Sequence, residues 1–193
     1  MRERLLIALT AASFTVLTAA VAYECFKSID VLLAELIKPY SSNAWSYVSR
    51  LSDLDASAAM LAMVSAAVYL RRKHSALSTL LPLLASFIMS QALVAVLKAL
   101  IAIPRPTYVS ESIFEAYSYP SGHSTRATVI AYFLFKEHKL LKPISIVFVL
   151  LMCFSRVAVG AHWFTDVVGG VLLGILTSSL TEYIYHSFMH KST

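Results

Sequence analysis

Six apolar stretches, parted by short polar interruptions, organise the chain. They cover residues 5–26, 54–70, 77–103, 123–136, 143–159 and 163–186. A helix needs roughly 20 apolar residues to cross a bilayer. The second and fourth stretches are short or diluted by small and polar side chains, so both are expected to sit sheltered among the others. No ten-residue alternation suggests a barrel, and backbone groups in hydrocarbon must be paired within their own segment. The pattern therefore predicts an all-α polytopic membrane protein, a bundle of six transmembrane helices forming one domain over residues 1–193.

Between the first two stretches, Val31, Leu32, Leu33, Leu36 and Ile37 alternate with Asp30, Glu35 and Lys38. This segment reads either as a short amphipathic helix at the interface or as a connector packed on the bundle. Arg2 and Arg4 precede the first stretch, and Ala20-Val21-Ala22 resembles a signal-peptidase site. The apolar run is longer than a usual secretory core, which favours a retained first span over a cleaved signal.

Composition agrees with this picture. Hydrophobic residues make up 58% and charged residues 14%, too few charges to cover a water-facing surface. The net charge is +5, but placement matters more than the sum. Arg2, Arg4, Arg71, Arg72, Lys73, Lys136, Lys139, Lys142 and Lys191 all fall on one side of a six-span topology. By the positive-inside rule that side is cytoplasmic and holds both termini in a multi-pass cell-membrane protein. Cys25 and Cys153 are far apart, form no metal-ligand spacing and read as small packing residues.

The remaining seven basic residues are Lys27, Lys38, Arg50, Lys98, Arg105, Arg126 and Arg156, and four of them lie close together where the rule disfavours positive charge. Lys98, Arg105, Arg126 and Arg156 lie at the opposite, extracytoplasmic ends of their helices. Lys98 lies inside an apolar run, roughly 7 Å below the break at Pro104, a depth at which an ammonium must snorkel, pair or line a polar cavity. Gln91 lies on the same face, and Arg105-Pro106 follows the break. Pro120-Ser121-Gly122-His123 opens the fourth span: Ser121 is a candidate N-cap, Gly122 admits an anion to the backbone, and the helix N-terminus favours negative charge. Ser155-Arg156 is followed by His162 and Asp166, which are four apart and share a helical face. A carboxylate there fixes the imidazole tautomer and leaves the other nitrogen free to attack. Gly170, Gly174 and Ser178 continue that face, so it should point into the bundle.

Cations, a helix N-terminus and two histidines at one end suit phosphoryl transfer. In this reading His162 attacks and forms a phosphohistidine, His123 protonates the leaving oxygen, and Asp166 orients His162. Lys98, Arg105, Arg156, Ser121 and Gly122 hold the phosphate oxygens. No metal is expected, because the cations would repel one and the carboxylate is tied to a histidine.

Lys98…Arg105-Pro106, Pro120-Ser121-Gly122-His123 and Ser155-Arg156…His162…Asp166 together resemble the signature of the type-2 phosphatidic acid phosphatase superfamily, K-x6-R-P, P-S-G-H and S-R-x5-H-x3-D, at every position. The resemblance implies a six-helix bundle of the type-2 phosphatidic acid phosphatase and vanadium haloperoxidase type. It also implies hydrolysis of a lipid phosphate or diphosphate at the bilayer, the residue roles above, and Ser155 as a further phosphate contact. No cofactor and no nucleic-acid partner are expected. Polyprenyl diphosphate is the first substrate expected by family analogy, with phosphatidic acid and phosphatidylglycerophosphate as alternatives. The rival classes are a phosphotransferase or vanadate-dependent oxidase, and a lipid-phosphate binding or transport protein without turnover.

The remaining features read more plainly. Arg126 either meets a second phosphate or pairs with Glu111 or Glu115. Tyr108, Phe114, Tyr117, Tyr119 and Trp163 are expected to form an interfacial aromatic belt. Asp53 and Asp55 are expected to cap the second span. His74, His138, His186 and His190 receive no chemistry.

Overall fold

The computed structural model describes residues 2–38, 43–107 and 116–189. Tyr108, Glu111, Phe114, Glu115, His190 and Lys191 lie outside the described residues. The helices are α1 (Arg2–Ala22), α2 (Lys27–Ile37), α3 (Asn43–Arg50), α4 (Leu54–Arg72), α5 (Leu77–Ile101), α6 (Gly122–Glu137), α7 (Leu141–Ala158) and α8 (Phe164–Met189).

Five of these, α1, α4, α5, α7 and α8, are long and apolar enough to cross a membrane. Five of the six expected spans meet this criterion, and α6, which still runs from one end of the bundle to the other, is the exception. At 16 residues α6 falls short, and it is buried along nearly its whole length by its neighbours. Most boundaries also move by one to four residues. The first span ends at Ala22 rather than residue 26, and the third ends at Ile101 because Ala102 turns left-handed (φ 52°) and its N–H closes on the Lys98 carbonyl. The segment over residues 27–53 holds two short helices. α2 is mostly exposed on its outer face and lies against α7 and α8, while α3 packs on α7 through an edge-to-face contact between Trp45 and Phe154 at 4.7 Å.

α8 is the central helix, lying against α1, α5 and α6. Polarity is inverted relative to a water-soluble bundle. Leu9, Val16, Leu70, Ile88, Leu100 and Leu150 face outward, whereas Ser86, Ser90, Ser124, Thr125, Thr177 and Ser178 are buried. In lipid there is little hydrophobic gain in pairing helices, so small residues and interhelical hydrogen bonds hold them together. Ser86 Oγ and Thr181 Oγ1 join α5 to α8 at 2.6 Å. Gly170 and Gly174 let α8 approach α6 closely: a Cβ at Gly170 would come within 2.5 Å of the Ser121 carbonyl oxygen, and one at Gly174 within 2.7 Å of Thr128 Cβ. Gly170→Ala should therefore cost about 1–3 kcal/mol through overpacking. It should also displace Ser121, lowering the thermal midpoint in detergent.

The basic ends of the helices meet at one end of the bundle. Arg72 pairs with Glu137 at 3.0 Å, Lys136 with Glu182 at 2.5 Å, and Arg4 Nε donates to the Tyr183 hydroxyl at 2.8 Å. The C-terminal ends of α5 and α7 and the N-terminal ends of α6 and α8 meet at the other.

Candidate active site

Three loops form the second end, and backbone hydrogen bonds lace them together. Ser118 N–H donates to the Ile103 carbonyl at 2.8 Å, joining the Arg105-Pro106 loop to the loop before α6. Ser121 N–H donates to the Asp166 carbonyl at 3.0 Å, joining that loop to the first turn of α8. Thr107 closes the ring: its N–H and Oγ1 donate to the Gly160 carbonyl at 3.1 and 2.7 Å. Gly160 is left-handed (φ 70°), and an added Cβ would meet Thr107 at 3.0 Å, so the turn between α7 and α8 suits glycine.

This lacing brings the expected residues together. Lys98, buried one turn from the end of α5, and Arg105, Arg156 and His123 all lie close enough to His162 to act on it electrostatically. Arg105 Nη1 donates to the Ala161 carbonyl at 3.3 Å. Ser121 caps α6 as expected, its hydroxyl accepting from Ser124 N–H at 3.4 Å. Gly122 follows as the first residue of α6 and is buried. Ser155 is also buried, with Oγ donating to the Met152 carbonyl of its own helix at 2.8 Å.

His162 and Asp166 are both fully buried, with Nδ1 3.3 Å from Asp166 Oδ2. Trp163 N–H also donates to Oδ2, at 2.8 Å. Burial first, then the Arg156 and Arg105 guanidiniums and the Lys98 ammonium, hold the His162 imidazole well below its usual range, so it is neutral near pH 7. With Nδ1–H directed at the carboxylate, Nε2 carries the lone pair. It is buried and has no hydrogen-bond partner among the described residues. Buried polar atoms are ordinarily satisfied, and exceptions cluster where chemistry occurs.

Several expectations are corrected. Asp53 stands at the N-cap of α4 without a capping bond, and its Oδ1 instead meets His123 Nε2 at 2.7 Å. Arg126 is buried in polar contacts: Nε and Nη2 donate to the Ser52 carbonyl at 2.9 and 2.7 Å, and Nη1 to Gln91 Oε1 at 2.9 Å. It braces a turn rather than facing a second phosphate. Tyr119 leaves the aromatic belt. Gly169 makes room for its fully buried ring, and its hydroxyl hydrogen-bonds Thr18 Oγ1 at 2.8 Å. Trp163 keeps a place at the rim, with Nε1 donating to the Pro104 carbonyl at 2.8 Å.

Sequence reading also missed Asp30. Its carboxylate is buried and accepts from Thr165 N–H at 2.9 Å and Oγ1 at 2.6 Å, fastening α2 to the start of α8. Asp30 read as one polar position of an amphipathic segment that also carries Glu35 and Lys38, and nothing local pointed to a partner 135 residues away. An open cleft of about 380 Å³, lined by Val31, Ala34, Pro106, Val157 and Trp163 among others, runs from α2 to the rim of the site.

Residues 79–189 match the PAP2 superfamily model, and that segment carries all three motifs. The chain belongs to the PAP2 superfamily. Its similarity to one member extends well beyond the motifs: phosphatidylglycerophosphatase B of Bacillus subtilis is 30% identical over 184 residues, covering 88% of this chain and 89% of that protein. The undecaprenyl-diphosphatase of Sulfolobus acidocaldarius is 41% identical over 83 residues, 41% of this chain and 39% of its own. Among solved structures, a transmembrane PAP2-type phosphatidylglycerolphosphate phosphatase from Bacillus subtilis superposes with a TM-score of 0.75 at 28% identity, covering 97% of both chains. Aquifex aeolicus LpxE gives 0.64 at 25% identity, covering 78% of this PAP2 chain and 93% of that one. The similarity to a transmembrane phosphatase and the five apolar helices make this an all-helical, multi-pass membrane protein.

Proposed function

We propose that this PAP2 enzyme hydrolyses the terminal phosphate of a membrane lipid by double displacement at His162. The observation that carries this reading is the buried Nε2 of His162, without a hydrogen-bond partner among the described residues, with Nδ1 turned to Asp166 and cations close enough to act on the ring. Nε2 attacks phosphorus, the bond to the lipid oxygen breaks, and His123 gives that oxygen a proton. Water then attacks the phosphohistidine, its proton passes to His123, and the P–N bond breaks to release inorganic phosphate. Lys98, Arg105 and Arg156 neutralise charge on the transferring group, aided by the N-terminus of α6 at Ser121 and Gly122. Ser155 lies beside Arg156 as a further contact on the phosphate side.

Both polyprenyl diphosphate and phosphatidylglycerophosphate fit this site. The first follows from the undecaprenyl-diphosphatase similarity, the second from the similarity that spans nearly the whole chain. The cleft beside Trp163, mostly apolar with Glu35 and Lys38 on its α2 side, supports a lipid chain as the remainder of the substrate. Positive charge gathered at the opposite end of the bundle supports cytoplasmic termini and an extracytoplasmic site.

A phosphate-release panel over polyprenyl diphosphate, phosphatidylglycerophosphate and phosphatidic acid in detergent tests the substrate class. At least one should turn over, and EDTA should leave that rate unchanged, because the charge here is handled by cationic side chains. Phosphate binding without turnover of any of the three would contradict the reading, as would loss of activity on chelation.

A further inference from the structure

The segment from Ser49 to Asp53 lies outside the three motifs, yet it reaches the site at several points. Ser49 Oγ accepts a hydrogen bond from Arg156 Nη1. Ser52 Oγ donates to the His123 carbonyl at 2.9 Å, while the Ser52 carbonyl accepts twice from Arg126. These bonds fix the turn before α4 against the first turn of α6. The next side chain, Asp53, holds a position where an aspartate ordinarily accepts a backbone N–H of its own helix. It makes no such bond and turns to His123 Nε2 at 2.7 Å instead. About half of the carboxylate's surface is exposed, which keeps it hydrated, whereas the imidazole is largely enclosed.

We propose that Asp53 is a positioning residue for His123, holding Nε2–H so that Nδ1 presents the proton taken by the leaving oxygen. This rests on the reading of His123 as the proton donor. As donor, His123 must carry a proton on each nitrogen before the P–O bond breaks. That imidazolium sits among Lys98 of α5, Arg105 of the following loop, Arg156 of α7 and Arg126 of its own helix, with His162 beside it. Burial and then all four cations oppose the extra proton, and Asp53 is the carboxylate in contact with the ring among the described residues. When Nδ1–H passes to the leaving oxygen, His123 becomes neutral and stays held through Nε2–H. In the second displacement the attacking water returns a proton to Nδ1. The enzyme then has two His–Asp pairs, His162–Asp166 for attack and His123–Asp53 for proton transfer.

Leaving-group dependence tests the proposal. Asp53→Asn retains an oxygen that accepts from Nε2–H, so the turn should keep its shape while the charge is lost. Turnover of phosphatidic acid, a phosphomonoester whose alcohol oxygen needs a proton to leave, should fall about 10- to 100-fold with little change in KM. Turnover of 4-nitrophenyl phosphate, whose leaving group departs as the anion, should fall less than about threefold. The alkaline limb of the lipid kcat profile should move to lower pH, because protonated His123 has lost its counter-charge. Asp53→Glu should recover part of the lipid rate. Equal losses on both substrates would make Asp53 merely structural, and an unchanged lipid rate would remove it from the reaction. His162→Ala measured alongside separates the two levels. If it keeps turnover, the reading of the site fails whatever Asp53 does. If it loses both substrates while Asp53→Asn matches the wild type, only the Asp53 proposal fails.

Discussion

His162→Ala should abolish phosphate release from a lipid phosphate, by on the order of 10⁵-fold or more, the scale expected when a covalent nucleophile is removed. The fold should survive. The His162 side chain contributes one long hydrogen bond at 3.3 Å and one buried nitrogen without a partner. Losing the nitrogen relieves an unsatisfied polar atom, which offsets the small cavity left behind. The lacing between the loops runs through Ser118, Ser121, Thr107 and Gly160, none of which depends on the imidazole. Thermal midpoint in detergent and rate should therefore separate, with the midpoint close to wild type and the rate at background. Wild-type turnover in this variant would overturn the assignment of the nucleophile.

The second large effect is expected from Asp166→Asn. The amide can keep its oxygen where Oδ2 now accepts from both His162 and Trp163, so geometry and tautomer are retained. What is lost is the negative charge. As Nε2 bonds to phosphorus, positive charge develops on a ring already facing Arg156, Arg105 and Lys98, and Asp166 is the carboxylate in contact with it. The kcat should fall about 10²- to 10³-fold, the scale of losing one electrostatic stabiliser of developing charge. KM should change little, because the phosphate is held by other groups. A rise in KM at unchanged kcat would show instead that Asp166 serves binding.

The parts of this protein legible in its sequence were those governed by local rules. Apolar length marked the spans, the motif spacing paired His162 with Asp166, and Ser121 declared itself as an N-cap. His162 sits in the turn before α8, however, rather than on a shared helical face. Misreadings arose where a side chain's partner lay far along the chain. Asp53 looked like a cap because that is the local use of an aspartate before a helix, yet its partner is 70 residues away. Arg126 looked like a ligand for charge, but α4 and α5 bring the Ser52 carbonyl and Gln91 to it. Tyr119 looked interfacial until Gly169 provided a slot for its ring. The fourth span passed as an equal of the others by pattern, although its small and polar residues record burial by neighbouring helices rather than contact with lipid.

Stereochemistry at phosphorus tests most directly whether the reaction passes through a covalent bond to the protein. A lipid phosphate made chiral with oxygen isotopes should yield a product of retained configuration when the phosphoryl group is passed to an alcohol acceptor, because two in-line displacements each invert it. Inversion would mean that the acceptor attacks the lipid phosphate directly, with His162 Nε2 never bonded to phosphorus.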